Sequence, residues 1–507
     1  MAITKATGPV LGNYTVGTGN VALGDTALDS VQSGGNYNAA VGRNSLTATT
    51  TGDNNTGMGN ATLATNSTGG NNTAVGGNAL ENATTADNNT AVGYASLNSN
   101  TTGANNVAIG SSALFVNTTG IGNVAVGYLA LDAHTTGNNN VAIGNEALSA
   151  NTTASNNVGV GVVALRLNTT GTDNVAVGAY ALDANTTGDG NTAVGDNALG
   201  AATTASNNTA VGKSALLANT TGFDNVTVGR QSLDANTTGN YNTSIGSLAL
   251  SGNTTADANT SVGYASLNVN STGANNVGVG YAALNSNTTA SYNTAVGKSA
   301  LAANTTAEEN TAMGNDAMLD NTTGANNVAI GSSALANNTT SSSNVAVGRH
   351  ALLANTTGTP HVAVGFEALK ANTTGASNMA VGYRAMYTNT TGGGNTGLGY
   401  QTLYSNTTGA ANEAVGVNAL FSNTTGNYNV AMGTNALTSN TTGTQNVAVG
   451  YHAGEYITGG SENTAVGYNA LDAANVGACT AIGVNTLTAC TGDNNTALGK
   501  STYIFIT

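Results

Sequence analysis

The chain has 507 residues, of which 69 are glycine, only 7% are charged and none is tryptophan. Its formal net charge is −14 and it contains only ten lysines and arginines, so we expect no cationic surface for nucleic-acid phosphates. No stretch approaches the roughly 18 apolar residues of a membrane span, so membrane insertion is not expected either.

Residues 1–19 precede the first complete repeat and are predicted to be a cap or an attachment segment. They contain no apolar run of signal-peptide length, so export by the general secretory route is not expected. A virion component released by lysis fits this observation, and a protein of the cell surface or the extracellular space is the other location considered.

Residues 20–450 repeat one motif of 17 residues. A glycine follows a small aliphatic triplet at Gly42 and at every seventeenth residue to Gly467, and Gly24, Gly483 and Gly499 extend the series to 29 copies. A fixed period of this size is typical of a solenoid in which each copy forms one coil. Strands stacked about 4.8 Å apart would give a rod on the order of 140 Å long.

The motif is numbered here from Asn123, position 1, so that position 5 is Gly127. Position 4 is aliphatic and position 9 is almost always leucine, and both are predicted to form the core. Position 3 is small and is predicted to face a close neighbour, whereas position 2 accepts Val, Thr and Glu413 and is expected near a corner or solvent.

The glycine at position 5 predicts a bend with positive φ between two short strands in each coil. Positions 12–15, usually Asn-Thr-Thr-Gly, predict a turn, and the repeated Asn and Thr predict ladders along the stack. Repeats this thin cannot bury a core alone, so we expect neighbouring coils and neighbouring chains to supply contacts.

Tyrosine recurs at position 6, directly after the bend glycine. An exposed aromatic ring can stack on a sugar, which would suit contact with a host-surface glycan; the alternative is packing against a neighbouring coil or chain. The tyrosines at this position are Tyr94, Tyr128, Tyr264, Tyr281, Tyr383, Tyr400, Tyr451 and Tyr468.

No constellation of residues predicts catalysis, a metal or a cofactor. The three Gly-Lys-Ser sequences lack the earlier glycine of a phosphate-binding loop, and the adjacent Glu308 and Glu309 are predicted to lie in a solvated loop. The four histidines do not share a motif position in adjacent coils; they are His134, His350, His361 and His452. We therefore expect a protein that is not an enzyme.

Residues 451–507 are predicted to form irregular coils and an apolar tail that caps the last coil or docks onto another copy end to end. Cys479 and Cys490 occupy positions 1 and 12 of one coil, where Asn is usual. These positions could bring the sulfurs within disulfide reach, and two free thiols are the alternative.

The run N-V-A-I-G-x-x-A-L at residues 106–114 and 140–148 resembles the head repeats of trimeric autotransporter adhesins. The longer form at residues 89–103 is similar to repeats of bacteriophage tail fibres, with Ser96 in place of Ala. The resemblance implies an all-β parallel β-solenoid, a left-handed β-roll of about 29 coils, in a homotrimer.

The function implied by this resemblance is that of a structural or adhesive fibre, a spacer and host-attachment element of the phage tail-fibre kind. The sequence shows neither the coiled-coil stalk and membrane barrel of the adhesins nor the chaperone domain of many tail fibres. A bacterial cell-surface adhesin or extracellular filament subunit is the alternative, and an ice-binding solenoid is a third hypothesis.

Overall fold

The computed structural model describes residues 17–472 and 475–502 and confirms an all-β solenoid. Within these residues the chain forms 29 short strands, all paired in parallel. Most of the predicted N-terminal segment and the apolar tail at residues 503–507 lie outside the described residues. The chain divides into two units, Met1–Ala256 and Asp257–Thr507, each of which is described by itself.

The first unit contains strands β1 to β14, one in each coil. Neighbouring strands pair in register one repeat apart, as Val124 does with Val141. The strands are β1 (Val21–Leu23), β2 (Ala39–Val41), β3 (Thr56–Met58), β4 (Thr73–Val75), β5 (Thr90–Val92), β6 (Val107–Ile109), β7 (Val124–Val126), β8 (Val141–Ile143), β9 (Val158–Val160), β10 (Val175–Val177), β11 (Thr192–Val194), β12 (Thr209–Val211), β13 (Val226–Val228) and β14 (Thr243–Ile245).

The second unit repeats the same arrangement with strands β15 to β29. Three of its strands are four residues long, and the rest have three. The strands are β15 (Thr260–Val262), β16 (Val277–Val279), β17 (Thr294–Val296), β18 (Thr311–Met313), β19 (Val328–Ile330), β20 (Asn344–Val347), β21 (His361–Val364), β22 (Asn378–Val381), β23 (Thr396–Leu398), β24 (Glu413–Val415), β25 (Val430–Met432), β26 (Val447–Val449), β27 (Thr464–Val466), β28 (Thr480–Ile482) and β29 (Thr496–Leu498).

Each coil has one strand, and the prediction of two was wrong. Positions 2–4 form the strand, and the chain then passes through consecutive turns. Positions 7 and 9 adopt the left-handed conformation, with φ of 52° at Leu129 and 55° at Leu131. Since a β-strand requires negative φ at every residue, this conformation rules out a second strand there.

The bend glycine behaves as predicted. Gly127 has a φ of 139°, a value that residues with a side chain rarely adopt. A Cβ atom on Gly127 would also lie 2.3 Å from the carbonyl oxygen of Gly144 in the next coil. Glycine is therefore required at position 5 for its backbone angle and for the close stacking of coils.

The core differs from the prediction at one of its two positions. Leu131 at position 9 is fully buried, as predicted, but Val126 at position 4 is only half-buried. Side chains alternate between the two faces of a strand, and the small Ala125 at position 3 is the one that faces inward. Positions 2 and 4 therefore lie together on the outer face, and the close neighbour predicted for position 3 is the coil interior.

Two ladders of buried asparagine also lie in the interior, as the repeated Asn predicted. At position 1, the backbone N–H of Asn140 donates to Oδ1 of Asn123, one coil earlier, at 2.9 Å. At position 12, Nδ2 of Asn117 donates to Oδ1 of Asn100 at 2.9 Å. Because a buried polar group is costly unless it is hydrogen-bonded, these ladders hold each coil in register with the next.

Candidate functional site

The eight tyrosines predicted at position 6 all lie on the surface, with 40% to 63% of each residue exposed. Where two successive coils carry tyrosine, the rings stack face to face. The ring centroids of Tyr264 and Tyr281 are 5.5 Å apart, and those of Tyr451 and Tyr468 are 5.4 Å apart. A stacked ring has one face covered, which reduces the area that a sugar could use.

Tyr94 and Tyr128 differ because no aromatic ring precedes or follows them at position 6. Their neighbours there are small or polar: Gly77 and Ser111 flank Tyr94, and Ser111 and Asn145 flank Tyr128. Tyr94 is 63% exposed and Tyr128 is 55% exposed. Tyr94 is therefore more exposed than any of the stacked tyrosines, whereas Tyr128 is about as exposed as the stacked Tyr281, at 56%.

The longest stacks lie side by side in the second unit. At position 6, Tyr383 lies between Phe366 and Tyr400, with centroid distances of 5.4 and 5.2 Å. At position 10, Tyr404 lies between Tyr387 and Phe421 at 5.2 and 5.0 Å. The second stack was not predicted from the sequence, although an aromatic residue at one position in three successive coils is a visible signal.

Three cations join these stacks. The guanidinium carbon of Arg384 lies 5.2 Å from the ring centroids of both Tyr383 and Tyr387, so it bridges the two stacks. The Lys370 ammonium lies 5.2 Å from the Tyr387 ring, which is a cation–π contact. We call this cluster the aromatic–cationic patch; it consists of Arg349, Phe366, Glu367, Lys370, Tyr383, Arg384, Tyr387, Tyr400, Tyr404 and Phe421.

Glu367 is the only carboxylate of the patch, and its side chain is 7% exposed. Lys370 Nζ lies 2.7 Å from Oε1, Arg384 Nε lies 2.8 Å from Oε2, and His350 Nδ1 lies 3.7 Å from Oε1. Burial acts to raise the pKa of Glu367, but the hydrogen bonds and charges of Lys370 and Arg384 outweigh it and hold this pKa below its usual value. Glu367 is therefore ionised at neutral pH and fixes the two cations in place.

The two cysteines lie where the asparagine ladders converge. In a regular coil, Nδ2 of Asn106 and Nδ2 of Asn117 both donate to the carbonyl oxygen of Gly120. Cys479 and Cys490 replace these two positions and are buried. Their sulfurs lie 3.4 and 3.2 Å from the carbonyl oxygen of Gly492.

The Cys479 and Cys490 sulfurs thus contact the same carbonyl oxygen, and the structure holds them as unlinked thiols. Burial raises the pKa of the Cys479 thiol, so at neutral pH this group is mainly protonated. A disulfide between these cysteines stays a prediction.

Two histidines occupy ladder positions and are buried. His134 replaces Asn at position 12, and its Nε2 lies 2.7 Å from the carbonyl oxygen of Gly137. His361 replaces Asn at position 1, and its Nδ1 accepts the backbone N–H of Asn378 at 3.2 Å. Burial lowers the pKa of His134, and it lowers the pKa of His361 to about 4.

The remaining candidates do not assemble into a site. Within residues 17–472 and 475–502, no three His, Cys, Asp or Glu side chains are placed to hold a metal ion. Glu308 and Glu309 are both exposed, as predicted for a loop. A search of the same residues found no helix with the length and apolar character needed to cross a membrane.

Comparison with known proteins adds no family. No protein-family model matches the sequence, and a search of curated proteins found no significant match. Function is therefore argued below from the geometry of the chain.

Proposed function

We propose that the chain is a non-catalytic fibre protein that assembles as a homotrimer and serves as a spacer and host-attachment element. The outer face of the strands carries this proposal. That face consists of positions 2 and 4 of every coil: position 4 is always Val, Ile, Leu or Met, position 2 is mostly Val or Thr, and the face is uncovered in the single chain.

Side chains at position 4 are exposed to a degree unusual for such apolar residues. Met58 is 48% exposed, Ile109 and Ile143 are each 40% exposed, and Met313 is 43% exposed. Monomeric soluble proteins rarely expose a continuous apolar surface of more than a few hundred Å². A surface that repeats in every coil of a unit is therefore expected to be covered by a partner.

Charge supports another copy of this chain as that partner. Among the strand residues of the described chain, Glu413 is the only Asp, Glu, Lys or Arg. Two copies with a net charge of −14 repel each other over most of their surface, and the strand face is where that repulsion is weakest.

The required contact area is modest. A stable interface buries roughly 800 Å² on each partner, which is about 60 Å² from each of the 14 coils of the first unit. Partial coverage of the apolar side chain at position 4 and of the Val, Thr or Ala side chain at position 2 supplies this area. A second copy also has the same axial repeat, so the contact can be made in register in coil after coil.

A shallow depression on this face supports the same interpretation. It has a volume of about 320 Å³ and lies in the second unit, where Val345, Val362 and Met379 of successive strands line it. Apolar side chains of a partner could fill it without any loss of hydrogen bonds.

The resemblance to trimeric adhesin heads and tail-fibre repeats supports the choice of three chains and of a virion location. A bacterial adhesin or extracellular filament would use the same interface, so that alternative shares the test below. The interior of hydrogen-bonded asparagine and leucine suits a load-bearing element, since neighbouring coils are tied by hydrogen bonds around the whole circumference.

The test introduces charge on the strand face. The double variant Ile109→Lys and Ile143→Lys replaces outward side chains that the coil interior does not use, so each chain is expected to fold. Native mass spectrometry and electron microscopy should show trimeric rods for the wild type and single chains for this variant. Ile121→Lys is the control, because Ile121 is 46% exposed but lies outside the strands.

A wild type that remains monomeric at all concentrations, or a double variant as trimeric as the wild type, would contradict the proposed interface.

One observation favours the ice-binding hypothesis as a second candidate. Position 14 is an exposed threonine in every coil from Thr51 to Thr442, so each unit carries a row of threonines at the coil spacing. The threonines at position 13 do not form a second row of this kind, because their hydroxyls donate hydrogen bonds to the next coil. The hydroxyl of Thr118, for example, donates to the carbonyl oxygen of Thr135 at 3.1 Å. Measurable thermal hysteresis, lost on Thr→Ala substitution in this row, would favour ice binding over the fibre.

A further inference from the structure

We infer that the aromatic–cationic patch is a binding site for an acidic polysaccharide, a sugar polymer that carries carboxylate or sulfate groups. This inference rests on the proposed attachment function and names the part of the surface that makes the attachment.

The patch is a local excess of positive charge on an acidic chain. It contains three of the ten lysines and arginines, Arg349, Lys370 and Arg384, within three successive coils. Glu367 offsets one of these charges, so two remain uncompensated. Cations held this close repel one another, and a bound anion relieves that repulsion.

The guanidinium groups have free donors. Arg384 uses Nε for Glu367, and neither terminal nitrogen has a hydrogen-bond partner among the described residues; its side chain is 32% exposed. Arg349 is exposed and makes no ion pair in the described chain, but its guanidinium carbon lies 5.9 Å from the Phe366 ring centroid. A planar guanidinium with free donors is suited to a carboxylate or sulfate.

Both guanidinium groups contact the same ring. The guanidinium carbon of Arg384 also lies 5.9 Å from the Phe366 centroid, so the two cations border one phenyl ring. The ligand is therefore expected to present at least two negative charges that are separated along a chain, which a polymer of acidic sugars does.

The aromatic stacks supply the sugar contacts. Interior rings such as Tyr383 and Tyr404 have both faces covered, but the last ring of each stack, Tyr400 and Phe421, has no aromatic ring after it at its position. Tyr400 is 47% exposed, so part of its ring is open to stacking by a sugar. The phenol hydroxyls of the stacked tyrosines can hydrogen-bond the hydroxyls of a sugar.

Other partners fit less well. The backbone of these coils is already hydrogen-bonded to the coils before and after, so a peptide cannot add as a strand. Nucleic acid needs a longer track of cations than three residues on a chain of net charge −14.

The test measures binding of the full chain to chondroitin sulfate and to polygalacturonate, with neutral dextran as the uncharged probe, by biolayer interferometry. We expect binding to at least one acidic polymer, weakened by salt, and none to dextran. Arg349→Gln should weaken that binding about tenfold, because a charged hydrogen bond to the ligand is lost from a residue that makes no ion pair among the described residues.

Arg43→Gln is the matched control. Arg43 also occupies position 6 and its loss changes the net charge equally, but it lies in the first unit with Asn60 as its neighbour in the next coil. Tyr400→Ala should also weaken binding, whereas Tyr128→Ala, a substitution at the same position in the first unit, should not.

No binding to either acidic polymer, or equal loss in Arg349→Gln and Arg43→Gln, would overturn the inference. Electron microscopy of the same samples distinguishes this outcome from failure of the proposed function. Intact trimeric rods that bind neither polymer would refute the proposed ligand but not the proposed fibre.

Discussion

His361 makes the stability of the chain depend on pH, because it is a titratable side chain in a ladder built mainly of uncharged asparagine. The imidazole replaces an asparagine at position 1, is 2% exposed, and must be neutral at Nδ1 to accept the N–H of Asn378. The substitution His361→Asn restores the residue found at this position in most coils. We expect this variant to lose the acid sensitivity that His361 confers.

The direction of the pH effect follows from which state of the chain, folded or unfolded, binds more protons. His361 has a pKa of about 4 in the folded chain and a usual value of 6.5 when unfolded, so between these values the unfolded chain binds more protons. The contribution of His361 to the free energy of unfolding is therefore constant above about pH 6.5, and this free energy falls as the pH drops towards 4. With 1.36 kcal/mol for each pKa unit, the loss at pH 5 relative to pH 7.5 is about 2 kcal/mol.

Thermal unfolding followed by circular dichroism at pH 7.5 and pH 5.0 measures this effect. For about 250 residues unfolding together, 2 kcal/mol corresponds to a difference in Tm of about 4 °C between wild type and His361→Asn that appears only at pH 5.0. His452→Asn is the control, since it removes a histidine outside the ladders and keeps His361. Equal acid sensitivity in wild type and His361→Asn would refute the reasoning.

Four further predictions follow from the structure. Gly365→Ala should lower the free energy of unfolding by about 3 kcal/mol or more, because φ is +136° and the new Cβ would lie 2.3 Å from a backbone oxygen. Gly375→Ala should cost less than Gly365→Ala in the same denaturation assay: its Cβ would also lie close to a backbone oxygen, 2.4 Å from that of Gly392, but the φ of Gly375 is not positive and alanine occupies this position in other coils. A mild disulfide-forming oxidant should join Cys479 and Cys490 and add about 2 to 3 kcal/mol, and two free thiols by mass spectrometry afterwards would reject the bridge. Glu367→Gln should destabilise the chain by about 1 kcal/mol at pH 7 and by nothing below its lowered pKa, where the wild-type carboxyl is also protonated; an unchanged difference at low pH would contradict this.

The sequence predicted the coil but not which side of its strand faces inward. Repetition every 17 residues, Gly127 at the bend and the asparagine ladders were all readable, because each depends on residue type at a fixed position. Position 4 was placed in the core because its residues, such as Val126, are aliphatic. In a coil this thin the interior accepts Leu131 and a small residue such as Ala125, so the strand turns its larger side chains outward.

The second strand was predicted because nothing in the residue types at positions 7 and 9 indicates positive φ. Position 7 varies from coil to coil, and Leu131 at position 9 is a residue that rarely adopts the left-handed conformation. Its burial and the hydrogen bonds to the next coil determine this conformation, and neither is visible in a single repeat.

The candidate site was predictable only in part. The tyrosines at position 6, such as Tyr383, stood out because they follow the bend glycine. The partners at position 10, such as Tyr404, and the cation Arg384 were missed because stacking brings together residues that are 17 or more apart in the chain. Comparing the same position in successive coils, rather than reading along one motif, would have found them.

Residues that contact each other in neighbouring coils are one period apart in the sequence, and this determines how such a chain can change in length. Each coil touches the coils one period before and one period after, so removal or insertion of one whole period within a unit leaves every surviving coil with neighbours of the same kind. Residues 101–114 are identical to residues 322–335, as expected if periods have been copied. The axial extent of a unit can therefore be adjusted in increments of about 4.8 Å without redesign of its interior.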